Sequence, residues 1–316
     1  MHAATAQPIT KASTSSLARR YQRDGYLCPL PVLDEAETVA ARAQVLALAG
    51  LDGAELPRHF KHKLHLMFRW ADGLVHHPRV LDAVQAVLGP NLLCWTSNLL
   101  IKGPGHPTFV SWHQDASYWG LDPHEVVTAW IALTPSTTES GCVAVRPGSH
   151  CGPQLAHVDT HHPNNLLTRG QSIPEEMMTP EIADLVLGPG EMSLHHIMLV
   201  HGSGPNTADI PRIGFAIRYM SARVRKKGRP ESAMVVRGSA SESDFVLETR
   251  PQGDFDLAGR LAHNRAVRRQ VQNNFEPVGP TSRRHKTRLA LECGASLLGL
   301  DALHAGLKLR AVATRR

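Results

Sequence analysis

The sequence predicts a mainly β protein, a jelly roll or barrel, with an N-terminal helical flank and an additional C-terminal helix. From residue 91 onward, runs rich in β-branched and aromatic residues (LLCWTSNLLI, TFVSWHQ, VVTAWIAL, CVAVRPG, MSLHHIMLV, IGFAIRYM) are punctuated by Gly, Pro and polar residues. Helices do not intervene between them, and repeated short strands without crossover helices pack as a jelly roll or barrel. Before them, AETVAARAQVLALAG and PRVLDAVQAVLG carry apolar residues at three- and four-residue steps and end at Gly50 and Gly89, the pattern of two capped amphipathic helices.

In order, residues 1–15 are polar and expected to be disordered. One domain is expected over 16–316: a helical flank over 16–90, the jelly-roll core over about 91–225 and an extension over about 226–316. Between His150 and Pro189 lies a long polar stretch of little period, read as a lid or a disordered loop. ARVRKKGRP is strongly basic, and DLAGRLAHNRAVRRQVQNNF reads as a basic amphipathic helix with a solvated face.

With 316 residues, 42% hydrophobic and 20% charged, the chain is long and apolar enough to bury a sizeable core. It has no apolar run near the ~18 residues that span a bilayer and no secretory apolar stretch at its start, so a cytoplasmic protein without membrane partners is expected. Five cysteines without C-x-x-C spacing suggest reduced thiols rather than a disulfide framework. The net charge of +6 is not gathered into one stripe with interleaved aromatics, so no nucleic-acid partner is expected. Oligomeric state is not indicated.

Nineteen histidines make single matches to short motifs uninformative. The most telling tripeptide is His113-Gln114-Asp115 in the strand-like FVSWHQD: residues i and i+2 of a strand share a face, so one strand offers an imidazole and a carboxylate. Two His and one carboxylate on one side of iron(II) leave positions open for substrate and oxygen. His201, followed at once by the turn-forming GSGPN, is the preferred third ligand, with His195 and His196 as competitors. An antiparallel return through GSGPNTADIP would bring Arg212 towards the same end of the barrel.

Five stretches then carry a family resemblance: IKGPG, SWHQDASYWGL, VVTAWIALTPSTTESGCVAVRPGSH, PGEMSLHHIMLVHGSGPN and PRIGFAIRY. In this order they resemble the phytanoyl-CoA dioxygenase family of iron(II)/2-oxoglutarate oxygenases. The resemblance implies a double-stranded β-helix in which His113, Asp115 and His201 bind Fe(II), with 2-oxoglutarate and O2 as co-substrates. It implies that Arg212 grips the far carboxylate of 2-oxoglutarate, for which a planar guanidinium suits better than an ammonium, with Trp130, Asn98 and Ser203 beside the co-substrate. Arg218 is the rival for that role or a wall of the substrate pocket. Family halogenases replace the metal carboxylate with a small residue, so Asp115 points to hydroxylation of a small metabolite. Trp119, Tyr118 and His65 are expected near the substrate, with His124 and Met67 as further lip residues and Arg146 as a second receiver of an acidic substrate. The alternative from another class is a non-catalytic jelly roll that holds a metal or ligand without turnover.

Overall fold

A computed structural model describes residues 11–49, 62–167 and 170–274. Along the chain come α1 (Lys11–Asp24), β1 (Tyr26–Pro31), α2 (Glu35–Ala49), α3 (Arg69–Val75), α4 (Pro78–Leu88), β2 (Leu92–Lys102) and β3 (Val110–His113). The one-turn α5 (Ala116–Trp119), β4 (Leu121–Asp122), β5 (Val126–Ala132), β6 (Val143–Val145), β7 (Val158–Asp159), β8 (Gln171–Ser172) and β9 (Ala183–Leu185) follow. The remainder is β10 (Glu191–His196), β11 (His201–Ser203), β12 (Arg212–Ser221), β13 (Arg225–Lys226), β14 (Ser232–Arg237), β15 (Val246–Leu247) and α6 (Leu257–Asn274).

A seven-stranded sheet runs β1-β10-β5-β12-β2-β14-β15 and a four-stranded sheet runs β3-β11-β6-β9, while β13 with β4 and β7 with β8 form small pairs. This is the mainly β, jelly-roll architecture the strand pattern predicts. Strand β12 (RIGFAIRYMS) shows why its sequence does not alternate simply: both faces are covered. Its outward residues meet the helical flank, where Phe215 packs on Trp70 at 5.8 Å and the Tyr219 hydroxyl donates to Val75 O at 2.8 Å. Its inward residues, Arg212, Gly214, Ala216 and Arg218, face the smaller sheet. Within the flank, α4 starts with Pro78 and stops at Gly89, whose φ of 86° suits only glycine comfortably.

Several boundaries differ from expectation. Residues 11–15, expected disordered, already belong to α1, and residues 1–10 lie outside the described residues. The helical flank contains β1, whose two prolines disguise it; on the sheet edge their missing N–H groups cost no ladder bond. The extension beyond 226 supplies β14 and β15 to the large sheet. The polar stretch after His150 is tied down by backbone bonds from Phe109 N to Asn164 O (3.0 Å), Leu166 N to Phe109 O (2.9 Å) and Ile173 N to Trp112 O (2.8 Å). The expected basic helix is α6. The compact unit carrying both sheets ends at Gln270; the chain from Val271 falls in a second unit and, beyond 274, outside the described residues. Among the described residues no helix is long and apolar enough to cross a membrane, and Cys28, Cys94, Cys142 and Cys151 are free thiols; Cys293 lies outside them.

A buried ion pair joins flank and sheet. Lys63 Nζ donates to Glu248 Oε1 (2.6 Å), Trp95 O (2.6 Å) and Ser232 O (3.0 Å), and His65 Nε2 lies 3.5 Å from Glu248 Oε2. Removing one partner of such a pair strands the other charge in the interior. Lys63→Ala is therefore expected to cost roughly 3–5 kcal/mol, measured by chemical denaturation.

Candidate metal centre and carboxylate pocket

Three side chains converge at the edge where β3 meets β11. His113 ends β3 and is the register partner of His201, the first residue of β11. Their rings lie 4.1 Å apart, and the Asp115 carboxylate reaches both: Oδ1 is 3.4 Å from His113 Nε2 and Oδ2 is 3.9 Å from His201 Nε2. All three are buried, at 2%, 3% and 8% exposure for His113, Asp115 and His201. Each ring donates its Nδ1–H to a backbone carbonyl, His113 to Ser111 O at 2.8 Å and His201 to Leu199 O at 2.9 Å. That fixes the tautomer that leaves Nε2 with its lone pair facing the centre, the usual arrangement behind metal-binding histidines. Their ligand atoms lie within 4.8 Å of one another, and among the described residues no other such cluster of three occurs.

The electrostatics suit a cation. Burial pushes the His201 imidazole down to about 4, aided by the charge of His113, so it is neutral at physiological pH. Burial works to raise Asp115, but close contact with His113 and the proximity of His201 and Arg218 hold it well below the usual carboxylate range. Two imidazoles with an ionised carboxylate are the donor set a divalent iron takes.

The route to this geometry differs from the predicted one. Strand β3 stops at His113, and Asp115 has helical backbone angles at the start of α5, so the two candidate ligands do not sit on one strand. His201 opens a strand of the small sheet instead of closing the run SLHHIMLV, which turns after β10. His195 is on the inner face with its ring 4.9 Å from that of His201, and His196 pairs with His150 at 5.3 Å; neither joins the cluster. Gln114 points away and anchors the loop: its amide donates to Met198 O (2.8 Å) and accepts from Leu155 N (2.7 Å).

Antiparallel register arranges the inner face of the large sheet in rows. One row reads Ser193, Trp130, Ala216, Asn98, and the next reads His195, Thr128, Arg218, Thr96. Opposite residues share a face, as do residues two apart, so Arg212 and Gly214 continue the same side.

At the Arg212 end lies a pocket of cations. Arg212 (2% exposed) and Lys102 (1%) are register partners on β12 and β2. Arg212 Nη1 donates to Ser203 Oγ at 3.0 Å and to Gly141 O, and its Nε is buried without a partner. Lys102 Nζ donates to Ser203 Oγ at 2.5 Å and to Gly204 O. Among the described residues neither has a carboxylate partner. Burial brings Arg212 down to about 10, and burial with the charge of Arg212 brings Lys102 down to about 7. Two adjacent buried cations without an acid are costly unless an anion joins them. Trp130 stacks its ring 5.3 Å from the Arg212 guanidinium, and a Cβ at Gly214 would fall inside that ring. Gly214→Ala is expected to displace the indole and cost about 1–3 kcal/mol of stability, read by chemical denaturation. Lys102 lies in IKGPG, but a lone lysine on a strand has no sequence pattern that says it is buried.

The remaining expected residues separate into two groups. Tyr118 donates its hydroxyl to Asp115 Oδ1 at 2.9 Å, Trp119 lies under the Arg218 guanidinium at 5.5 Å, and Asn98 Oδ1 accepts from Arg218 Nη1 at 2.5 Å. These belong to the centre. His65 does not reach a mouth: it is fully buried, hydrogen-bonded to Ser97 Oγ at 2.8 Å within the Lys63–Glu248 network, and its neighbour Met67 is equally buried. Arg146 lies 4.7 Å over Trp112, whose side chain leaves β3 on the face opposite His113.

A family model described as phytanoyl-CoA dioxygenase (PhyH) matches residues 21–214. A probable alpha-ketoglutarate-dependent hypophosphite dioxygenase of Stutzerimonas stutzeri is 34% identical over 163 residues, 50% of this chain and 55% of that protein. The peroxisomal phytanoyl-CoA dioxygenase of Bos taurus is 29% identical over 153 residues, 46% of this chain and 44% of that protein. The chain thus spans about half the length of these curated relatives. The apo structure of the non-heme monooxygenase ThoJ superposes with a TM-score of 0.73 at 36% identity, covering 82% of this chain and 97% of that one.

Proposed function

Because the chain belongs to the phytanoyl-CoA dioxygenase family, we propose that it is an iron(II)- and 2-oxoglutarate-dependent oxygenase that hydroxylates a C–H bond of a small molecule. One observation carries the reading: a buried centre of two imidazoles and a carboxylate shares its interior with two cations that, among the described residues, have no acid of their own. The names of the relatives support it, since the hypophosphite dioxygenase is alpha-ketoglutarate-dependent and ThoJ is a non-heme monooxygenase.

His113, Asp115 and His201 would hold the iron, and Arg212, Lys102 and the Ser203 hydroxyl the far carboxylate of 2-oxoglutarate. Iron and co-substrate together, when bound, supply with O2 the oxidising power for the C–H bond, with succinate and carbon dioxide as co-products. The chain supplies orientation: backbone carbonyls lock both imidazoles, Tyr118 steadies Asp115, and Trp130 and Gly141 frame Arg212. Gly141 has φ of 68°, and its carbonyl also accepts from Ser203 Oγ at 2.9 Å. Such preorganisation contributes positioning and keeps water out.

Lys102 makes co-substrate binding pH-dependent. Its pKa of about 7 rises when the carboxylate arrives, so binding is strongest below pH about 7 and weakens, by up to about tenfold per unit, as pH rises through that value. Isothermal titration of 2-oxoglutarate between pH 6 and 9 checks this, and Lys102→Met is expected to flatten the profile.

The test of the reading is anaerobic titration of the apoprotein with iron(II) and 2-oxoglutarate, watching for the weak visible charge-transfer band of the chelate. A band supports the oxygenase. Bound iron without a band favours a non-catalytic metal-binding jelly roll, and no iron binding removes both.

A further inference from the structure

The inner face of the large sheet carries a second set of polar groups that the co-substrate pocket does not use. Arg218 lies six residues beyond Arg212 on β12, about 20 Å along an extended strand, too far for one five-carbon diacid to bridge. It shares a row with Thr128 and His195, and the His195 ring lies 4.9 Å from that of His201, whereas Arg212 stands at the far end of the strand. Every hydrogen bond it makes is to a neutral oxygen, Asn98 Oδ1 at 2.5 Å and Ala216 O at 3.4 Å, and its Nε is buried with no partner. Trp119 supports the guanidinium at 5.5 Å.

On either side, directly opposite Arg218, stand Thr96 of β2 and Thr128 of β5. Directly opposed residues place their Cβ atoms about 4.5–5.5 Å apart, so both threonines stand beside the Arg218 side chain on the inner face. The Oγ1 atoms of both are buried and have no hydrogen-bond partner. An unsatisfied buried hydroxyl costs about 1–3 kcal/mol, and here two of them share a row with a cation. One cation with two hydroxyl donors, inside a low-dielectric interior, is an oxyanion receptor.

We propose that Arg218, Thr96 and Thr128 form a substrate subsite beside the metal ligands, and that the molecule oxidised carries an oxyanion, either a carboxylate or a phosphorus oxyacid group. The inference rests on the oxygenase reading and narrows it to an acidic substrate held apart from the 2-oxoglutarate pocket. The competing role for Arg218 is to position Asp115 and nothing else.

The experiment uses full-length protein loaded anaerobically with iron(II) and saturating 2-oxoglutarate, so that the Arg212 pocket is filled. Hexanoate and methylphosphonate are titrated calorimetrically, with hexanamide as the neutral counterpart of hexanoate. At least one of the anions is expected to bind about tenfold or more tightly than hexanamide, and which one does so distinguishes the two oxyanion classes. Arg218→Gln is expected to abolish that preference while the dissociation constants for iron and 2-oxoglutarate stay within about twofold. Thr128→Val and Thr96→Val, which keep shape and remove the hydroxyl, are expected to weaken the anion several-fold and provide the same test if Arg218→Gln does not fold. Equal binding of anion and amide, absence of anion binding, or a preference that survives these substitutions overturns the subsite. A loss of iron affinity in Arg218→Gln without any change in anion preference assigns Arg218 to Asp115 instead and also overturns it. Wild-type protein that binds neither iron nor 2-oxoglutarate brings down the oxygenase reading itself.

Discussion

Arg212→Ala is expected to weaken 2-oxoglutarate binding by roughly 2–5 kcal/mol, a loss of about 30-fold or more, while leaving 2-oxopentanoate almost unaffected. The two keto acids have the same chain and the same metal-chelating end; they differ only in whether the far end is a carboxylate or a methyl. A guanidinium that serves only to hold the fold together would change both affinities alike. Arg212 is buried, has an unpartnered Nε and, among the described residues, faces no acid, so an arriving anion supplies its counter-charge. Lys102→Met should show the same selectivity at a smaller size, about tenfold, because Lys102 also spends hydrogen bonds on Ser203 and Gly204. Arg212→Lys should recover only part of the affinity, since an ammonium cannot make the paired bonds of a guanidinium. Anaerobic titration with each acid reads all three. Equal losses for both acids in Arg212→Ala would sink the carboxylate assignment.

Asp115→Ala is expected to lower iron(II) affinity by more than about 100-fold and to abolish turnover, since even substitution of groups behind the ligands typically costs 10–100-fold. The carboxylate is the negative member of the set, and without it two imidazoles alone face a divalent cation. The fold should survive, because Asp115 lies in a one-turn helix at the mouth of the small sheet and no strand pairing depends on its side chain. Unchanged far-ultraviolet circular dichroism with lost iron binding is the expected pair of results. Iron bound by Asp115→Ala as tightly as by the wild type would place the metal elsewhere.

Much of this was legible along the chain because it is local. Short β-rich runs after residue 91 announce the sheets, and Gly89 closing a 3.6-period segment announces α4. His113 and Asp115 are two residues apart, so they meet whichever local route the backbone takes; strand alternation was the wrong route, and the start of α5 does the same work. What was illegible depends on where a segment ends up. Tyr26–Pro31 has too many prolines to read as a strand, and becomes one only because an edge tolerates them. His65, expected at the mouth, is buried in the Lys63–Glu248 network formed by segments nearly two hundred residues apart in sequence.

Along the chain alone, the fold class was readable, His113 and Asp115 stood out as candidate metal ligands, and the family resemblance marked Arg212 as the candidate grip for the co-substrate. The tertiary structure decided which of three histidines completes the centre, because only register between β3 and β11 sets His201 opposite His113. It also decided that Lys102 stands beside Arg212 and that Thr96 and Thr128 flank Arg218. The physical reason is common to all three: which side chains share a buried face is fixed by hydrogen-bond register between strands far apart in the chain, and a one-residue slip in that register would turn every one of them away.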